Sequence, residues 1–108
     1  MKLFSKKQII TMAFDTEDKG KKNRLSQEKQ FALIEKLSRA FGGATLRENV
    51  GGYMMDDGTA AIEYSYTIEL IGVKKAAALD MANSIAAENK QESFILNGKL
   101  VYTKKRGL

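Results

Sequence analysis

The chain has 108 residues, 18 Lys and Arg against 13 Asp and Glu, a formal charge of +5, and neither Cys nor His. A chain of this length forms one domain that folds without disulfides. The missing residue types exclude thiol nucleophiles, imidazole bases and most transition-metal sites, so we predict no metal and no cofactor. No apolar run matches a signal peptide or the ~20 residues of a membrane span, which predicts a cytoplasmic protein with no membrane partner.

The first element is a strand over residues 8–14, Gln-Ile-Ile-Thr-Met-Ala-Phe. Ile10, Met12 and Phe14 share one face, and both faces are fairly apolar, which indicates a central position in a sheet. Residues 15–25 carry seven charged side chains without an apolar period. They are predicted to form a mobile charged loop.

A helix is predicted from Ser26 to the pair Gly42-Gly43. Ser26 is a favourable N-cap, and Gly42 supplies the left-handed conformation that ends a helix. The apolar residues fall at spacings of three and four and make one stripe, which consists of Phe31, Leu33, Ile34, Leu37, Ala40 and Phe41.

A hairpin follows this helix. A short strand over residues 44–50 loosens at Gly51-Gly52-Tyr53, and Asp56-Asp57-Gly58-Thr59 is a turn signal. The strand over residues 62–73 alternates apolar even positions with polar odd positions, which is typical of a half-buried strand. It is the clearest element of the chain.

The last third predicts a helix, a strand and a hairpin. Residues 74–89 are rich in alanine and amphipathic, so this second helix can lie close to a sheet. Residues 93–96 form a strand, Asn97-Gly98 is a strong hairpin signal, and residues 99–103 return as a short extra strand. Residues 104–108 form a basic tail.

These elements predict an α+β fold, the ferredoxin-like βαββαβ sandwich. It has a four-stranded antiparallel sheet with two helices on one face, and here it has a possible extra C-terminal strand. The two most apolar strands fall in the central slots, first and third. The whole chain, residues 1–108, is predicted to be a single domain.

A resemblance to a known family runs from Ile9 to about Leu96. It is carried by Phe41-Gly42-Gly43-Ala44-Thr45, Gly52-Tyr53, Asp57-Gly58, Ile62-Glu63, Ile68-Glu69-Leu70 and Gln91-Glu92-Ser93. This series resembles a family of small uncharacterised ferredoxin-like proteins of low-GC Gram-positive bacteria and their phages. The resemblance implies the fold and no catalytic residues. A phage setting makes an inhibitor, or a protein that sequesters a host defence signal, a plausible role by association.

Catalysis and RNA recognition are not favoured by the residues. Glu63 and Glu69 lie six positions apart on one strand, about 20 Å at ~3.3 Å per residue, too far for a carboxylate pair. Walker, Rossmann and nucleophile-elbow spacings are missing. We therefore predict that the protein is not an enzyme. The tyrosines of the long strand face away from its glutamates, so the uncovered face would repel RNA, and nucleic acid is an unlikely partner.

Self-association is the favoured use of the sheet face without helices. Ile9, Ile71 and Val73 give that face an apolar end, and such faces commonly pair. We therefore expect a homo-oligomer.

A ligand site is predicted at the end of the sandwich where the first strand leaves the sheet. The first helix begins there with its free N–H groups, which suit a phosphate beside basic side chains. The predicted ligand-binding residues are Lys21, Lys22, Arg24, Ser26, Tyr53, Glu63, Gln91 and Ser93. The predicted function is non-catalytic binding of a small anionic, nucleotide-type molecule. The alternative is a phage-type inhibitor that acts through protein–protein or weak nucleic-acid contact.

Overall fold

The computed structural model describes residues 6–14, 17–18, 21–22 and 24–104. Its elements, in chain order, are β1 (Lys7–Met12), β2 (Glu17–Asp18), β3 (Lys21–Lys22), α1 (Gln27–Phe41), β4 (Thr45–Met54), β5 (Ala60–Ile71), α2 (Lys75–Glu88), β6 (Ser93–Leu96) and β7 (Lys99–Tyr102). One antiparallel sheet has the order β4-β5-β1-β6-β7, and β2 pairs with β3 separately.

The strand order confirms the ferredoxin-like prediction. β1 and β5 are the central strands and pair in antiparallel register, with Ile10 opposite Ile68 and Met12 opposite Tyr66. β6 lies on the other side of β1, with Leu96 opposite Ile10. β7 extends the sheet beyond β6, which confirms the extra C-terminal strand.

The core lies between this sheet and the two helices. The alternation along β5 buries Tyr66, Ile68 and Leu70 completely on one face, which we call the helix face. The other, the open face, carries the odd-numbered residues of β5. α1 contributes Leu37 to the core, whereas α2 contributes three alanines and Ile85, and these small residues let it lie close to the sheet.

Local signals in the sequence correctly predicted the two ends of α1 and the turn of the last hairpin. Ser26 caps α1, and its Oγ accepts a hydrogen bond from the backbone N–H of Lys29 at 3.2 Å. Gly42 ends α1 with φ +86, a conformation that favours glycine. Asn97 and Gly98 both have positive φ, 52 and 82, as a type I′ turn between two strands requires.

The β4–β5 hairpin is longer than predicted. β4 does not loosen at Gly51 and Gly52; it continues to Met54, with Gly51 opposite Glu63 and Gly52 opposite Ile62. The backbone pairing compensates for the missing side chains, so the glycines remain in the strand. Residues 50–64, which we call the arm, form the outer part of this hairpin, and a turn in which Asp57 Oδ1 accepts from the Thr59 N–H and hydroxyl closes it.

Other expectations are corrected in the same way. Phe31 is 60% exposed, outside the apolar stripe that buries Leu37. Val73 is buried and therefore does not belong to the open face with Ile9 and Ile71. The charged segment of residues 15–25 contains the β2–β3 pair and ends in the buried Leu25. Its mobility stays a prediction, and the basic tail beyond Lys104 lies outside the described residues. Within the described residues, neither helix is long and apolar enough to cross a membrane.

Candidate functional site

Glu48 is the centre of a polar cluster on the helix face, where β1 finishes and α1 begins. Its Oε2 accepts a hydrogen bond from the Tyr66 hydroxyl at 2.8 Å and from Gln30 Nε2 at 3.3 Å. Its Oε1 lies 3.3 Å from Arg24 Nη2 in an ion pair. Tyr64 completes the cluster, since its ring centroid lies 4.9 Å from the Arg24 guanidinium carbon. We call these five residues the Glu48 cluster.

The secondary structure holds each member of the cluster in place. Glu48 and Tyr66 are cross-strand partners, so their side chains leave the same face of the sheet. Arg24 and Leu25 directly precede the N-cap of α1, and the backbone N–H of Leu25 donates to the Tyr66 hydroxyl at 2.8 Å. Gln30 Nε2 also donates to the Leu25 carbonyl at 3.1 Å. The start of α1 is thereby tied to the sheet.

The electrostatics keep the Tyr66 phenol protonated. Burial, the largest cause, and the adjacent Glu48 carboxylate together raise the pKa of Tyr66 to about 12, against a smaller opposing effect of the Leu25 N–H. The hydrogen bond and charge of Glu48 also raise the pKa of Arg24. Tyr66 therefore orients Glu48 by donating a hydrogen bond to it and does not act as a general base.

The cluster is reachable from solvent. The Arg24 side chain is 38% exposed and that of Glu48 22% exposed. Arg24 can therefore donate to a carboxylate or phosphate, Glu48 can attract a cation or accept from hydroxyl or amino groups, and the Tyr64 ring offers an aromatic edge or face. Such a set suits a ligand with both polar and aromatic parts.

A second charged group lies on the open face near the opposite end of β5. Glu69 is in contact with Arg47 at 3.2 Å and with Lys7 at 3.4 Å. The hydrogen bond from Arg47 lowers the pKa of Glu69, and Lys7 adds to the effect. Glu69 also lines a cleft of about 340 Å³ with Gly42, Gly43 and Ile71 among its walls. The Glu69 carboxylate pairs with two cations, whereas that of Glu48 pairs with one, so Glu48 keeps more negative charge for a ligand.

The predicted site residues are divided between the two faces of the sheet. Arg24 belongs to the Glu48 cluster, and Ser26 lies two residues further on, engaged as the cap of α1. Glu63 lies opposite Gly51 and Tyr53 opposite Ala61, so both project from the open face of the arm. The prediction that they converge with Arg24 is therefore wrong, because β5 turns successive side chains to opposite faces.

The remaining predicted site residues lie elsewhere. Gln91 Nε2 donates to the Asn89 carbonyl at 3.0 Å, at the end of α2. Ser93 begins β6 opposite Tyr102. Lys21 and Lys22 are in β3, and their side chains lie outside the described residues. The binding roles of all these residues stay predictions.

The sequence analysis missed Glu48, Gln30, Tyr64 and Tyr66 as members of one site. One signal for Glu48 was available. Leu46, Glu48 and Val50 alternate along β4 and share a face, so a charged residue stands between two apolar ones on the face that the helices cover. A charge in that position needs partners, which the cluster provides.

No family model and no curated protein matches the chain. Two solved structures share its fold. One is a phage SAM lyase in complex with S-methyl-5'-thioadenosine, 18% identical, with a TM-score of 0.54 over 92% of this chain and 81% of that chain. The other is a phage SAM lyase in the apo state, 20% identical, with a TM-score of 0.53 over the same shares. At this identity the likeness shows the fold.

The comparison contradicts the prediction that the protein is not an enzyme, because both neighbours are lyases. The prediction depended on the missing His and Cys and on the separation of Glu63 from Glu69. It did not consider reactions in which no side chain has to transfer a proton. The resemblance to proteins of low-GC Gram-positive bacteria and their phages is not tested by these matches and stays a prediction.

Proposed function

We propose that the protein is a lyase that cleaves S-adenosylmethionine, with the Glu48 cluster as its substrate site. The observation that carries this proposal is the fold shared over 92% of the chain with a phage SAM lyase that holds S-methyl-5'-thioadenosine. The cluster supports it, because a cation, a carboxylate and two tyrosines lie together at a solvent-reachable position. A nucleoside-type ligand is thereby retained from the sequence analysis. The predicted anionic character of the ligand is not retained, because methylthioadenosine is uncharged.

The reaction suits the chemistry that this sequence offers. Release of methylthioadenosine breaks the bond between the sulfonium sulfur and the γ-carbon of the aminobutyryl chain, and the electron pair stays on sulfur. The carboxylate of the substrate can attack that carbon from the opposite side and close a lactone. Atoms and charges balance, and no side chain gains or loses a proton. A protein without His or Cys can catalyse such a step by holding the substrate folded, with its carboxylate aligned behind the carbon that is attacked.

The Glu48 cluster offers a role for each partner. The Arg24 guanidinium can orient the substrate carboxylate, and Glu48 can attract the ammonium or sulfonium group. Tyr64 can contact the adenine ring or the sulfonium. Gln30 and Tyr66, which both donate to Glu48, are positioning residues. In the cytoplasm of a phage host, destruction of a nucleoside-type metabolite would serve as an anti-defence activity, which the phage origin of both neighbours supports.

The test is incubation of the purified protein with S-adenosylmethionine and mass spectrometry of the products. We expect methylthioadenosine and homoserine lactone in equal amounts. Glu48→Gln should lower the rate by about a hundredfold, the usual effect of losing one preorganised charged group. Glu88→Gln, on the exposed surface of α2, is the matched control and should keep full activity.

Two outcomes would contradict the proposal. One is the absence of methylthioadenosine at enzyme concentrations that give measurable turnover for other lyases. The other is full activity of folded Glu48→Gln, which would place the reaction elsewhere. Melting temperatures of both variants separate loss of activity from loss of structure.

A further inference from the structure

An apolar strip continues from the Glu48 cluster onto the helix face of the arm. The pairs that follow one another along this face are Glu48 with Tyr66, Val50 with Tyr64, Gly52 with Ile62, and Met54 with Ala60. Their side chains leave the same side of the sheet, because successive residues of a strand alternate between faces. Beyond the first pair, Tyr64 alone has a polar side-chain atom, and Val50 and Ile62 are 64% and 62% exposed. The Glu48 cluster is therefore the inner end of a longer surface.

Gly52 makes this strip low at its middle. The φ of Gly52 is not positive, so its backbone conformation does not require glycine. A Cβ at this position would lie 3.2 Å from the Ala61 carbonyl oxygen and 3.6 Å from Ile62 Cδ1. Ile62 therefore leans across the ladder over Gly52, where a larger residue would displace it. The result is a flat apolar surface of Val50, Gly52 and Ile62, which we call the Gly52 platform.

The spacing between the cluster and the platform matches the proposed substrate. Successive pairs on one face lie about 6.6 Å apart at ~3.3 Å per residue, so Val50 is about 7 Å and Gly52 about 13 Å along the strand from Glu48. In S-adenosylmethionine, roughly nine bonds separate the amino nitrogen from the base, about 11 Å for a chain extended at ~1.2 Å per bond. Folding of the aminobutyryl chain shortens this reach. A substrate whose amino-acid end contacts Glu48 therefore carries its base out to the platform.

We propose that the Gly52 platform binds the purine ring of the substrate, an inference that rests on the lyase function proposed above. Ligand sites combine an apolar lining with a few polar groups that fix orientation. The platform supplies the apolar lining, and the Glu48 cluster supplies the polar groups. Tyr64 lies between them beside the Arg24 guanidinium. This position places Tyr64 at the sulfonium, whose positive charge an aromatic face stabilises.

The exposed area of the platform suits one aromatic ring system. An aromatic side chain buries about 150–250 Å² when it is enclosed on all sides, so a ring that stacks through one face covers roughly half of that area. Val50 and Ile62 are diagonal neighbours across the ladder, and each is nearly two-thirds exposed. Their side chains together present an apolar area of this order. A purine is flat and uncharged, so it can cover them without burying an unpaired charge.

Isothermal titration calorimetry with methylthioadenosine tests the platform directly, because this molecule carries the base and is not cleaved. Gly52→Val and Gly51→Val are the matched pair, since they add the same side chain to opposite faces of one strand. A Cβ at Gly51 meets nothing within 4 Å. We expect Gly52→Val to raise the dissociation constant about tenfold or more and Gly51→Val to leave it unchanged. Val50→Ser, which removes apolar contact without adding bulk, should raise it several-fold.

Failure of the platform is distinguishable from failure of the lyase. Parent-like binding by both Gly52→Val and Val50→Ser would overturn the platform, even where the parent forms methylthioadenosine from S-adenosylmethionine. A parent that does not bind methylthioadenosine would overturn it as well. Binding that depends on Gly52, in a protein that does not cleave S-adenosylmethionine, would instead refute the lyase and retain the platform as a nucleoside site.

Nuclear Overhauser contacts give a second measurement, which needs no variant. In methyl-labelled protein, the ring protons of the bound base should show contacts to the methyl groups of Val50 and Ile62. Contacts chiefly to Ile9 or Ile71, which lie on the open face, would place the base on the other side of the sheet and overturn the proposal.

Discussion

Replacing Tyr66 with Phe removes one hydroxyl that connects the start of α1 to the sheet. The oxygen accepts from the buried Leu25 N–H and donates to Glu48 Oε2, both at 2.8 Å. An N–H left buried without an acceptor costs about 1–3 kcal/mol, and a hydrogen bond to a charged group contributes about 1.5–3 kcal/mol. Glu48 keeps Arg24 and Gln30 as partners, so the loss of its hydrogen bond to Tyr66 should cost an amount at the low end of the second range. We expect a decrease of about 3 kcal/mol in the free energy of unfolding, out of a typical 5–15.

Urea denaturation followed by circular dichroism measures this decrease. At a slope of about 1–1.5 kcal/mol per molar urea, the midpoint should fall by roughly 2–3 M. Tyr64→Phe is the matched control, because it removes a hydroxyl from the same strand face that makes no hydrogen bond within the described residues, and it should move the midpoint little. Equal loss in the two variants, or less than about 1 kcal/mol for Tyr66→Phe, would refute the bridging role of this hydroxyl.

Two further outcomes follow from β5. Leu70→Asp should abolish cooperative unfolding, because it places an unpaired charge at a fully buried position. Ile71, the next residue, is 58% exposed, so Ile71→Asp should still fold. If the two variants gave the same denaturation curve, the assignment of faces would be contradicted. Because the pKa of Glu69 is lowered below its usual 4.5 in the fold, its contribution to stability is present above that value and is lost as the pH falls through the folded pKa. Glu69→Gln should therefore flatten the dependence of the unfolding midpoint on pH between about 5 and 3. Glu63→Gln on the exposed arm is the control and should leave that dependence unchanged. If Glu69→Gln kept the pH dependence of the parent, the ion pairs of Glu69 with Arg47 and Lys7 would not contribute to stability.

The fold could be predicted from the sequence because independent local signals agreed. Ser26 and Gly42 mark the ends of α1, Asn97-Gly98 marks the last hairpin, and the alternation of β5 assigns its faces. The exact extent of the arm was not predictable from local preference. Gly51 and Gly52 weaken a strand on their own, and only the pairing with Glu63 and Ile62 keeps them extended.

The site was less predictable, because its members come from α1, β4, β5 and the segment that precedes α1. Arg24 was identified from its charge, but its partner Glu48 lies 24 positions away and Tyr66 lies 18 beyond Glu48. Tyr53 and Glu63 were assigned to the same site although the strand period places them on the other face. The search for an enzyme relied on proton-transferring residues. The reaction proposed above, a displacement within the substrate itself, would leave no such residue pattern in a sequence.

The position of β1 in the sheet has a consequence for how the chain folds. β1 is made early but has only late partners: Thr11 bonds Thr67 across 56 positions, and Gln8 bonds Asn97 across 89. Such distant pairings are slow to form because the intervening loop must close first. During synthesis, the apolar residues of β1 therefore remain unpaired until β5 has been made. The second edge of β1 is paired only after β6 has been made. We expect the nascent chain to depend on chaperones during this interval, when an unpaired apolar strand is prone to aggregation.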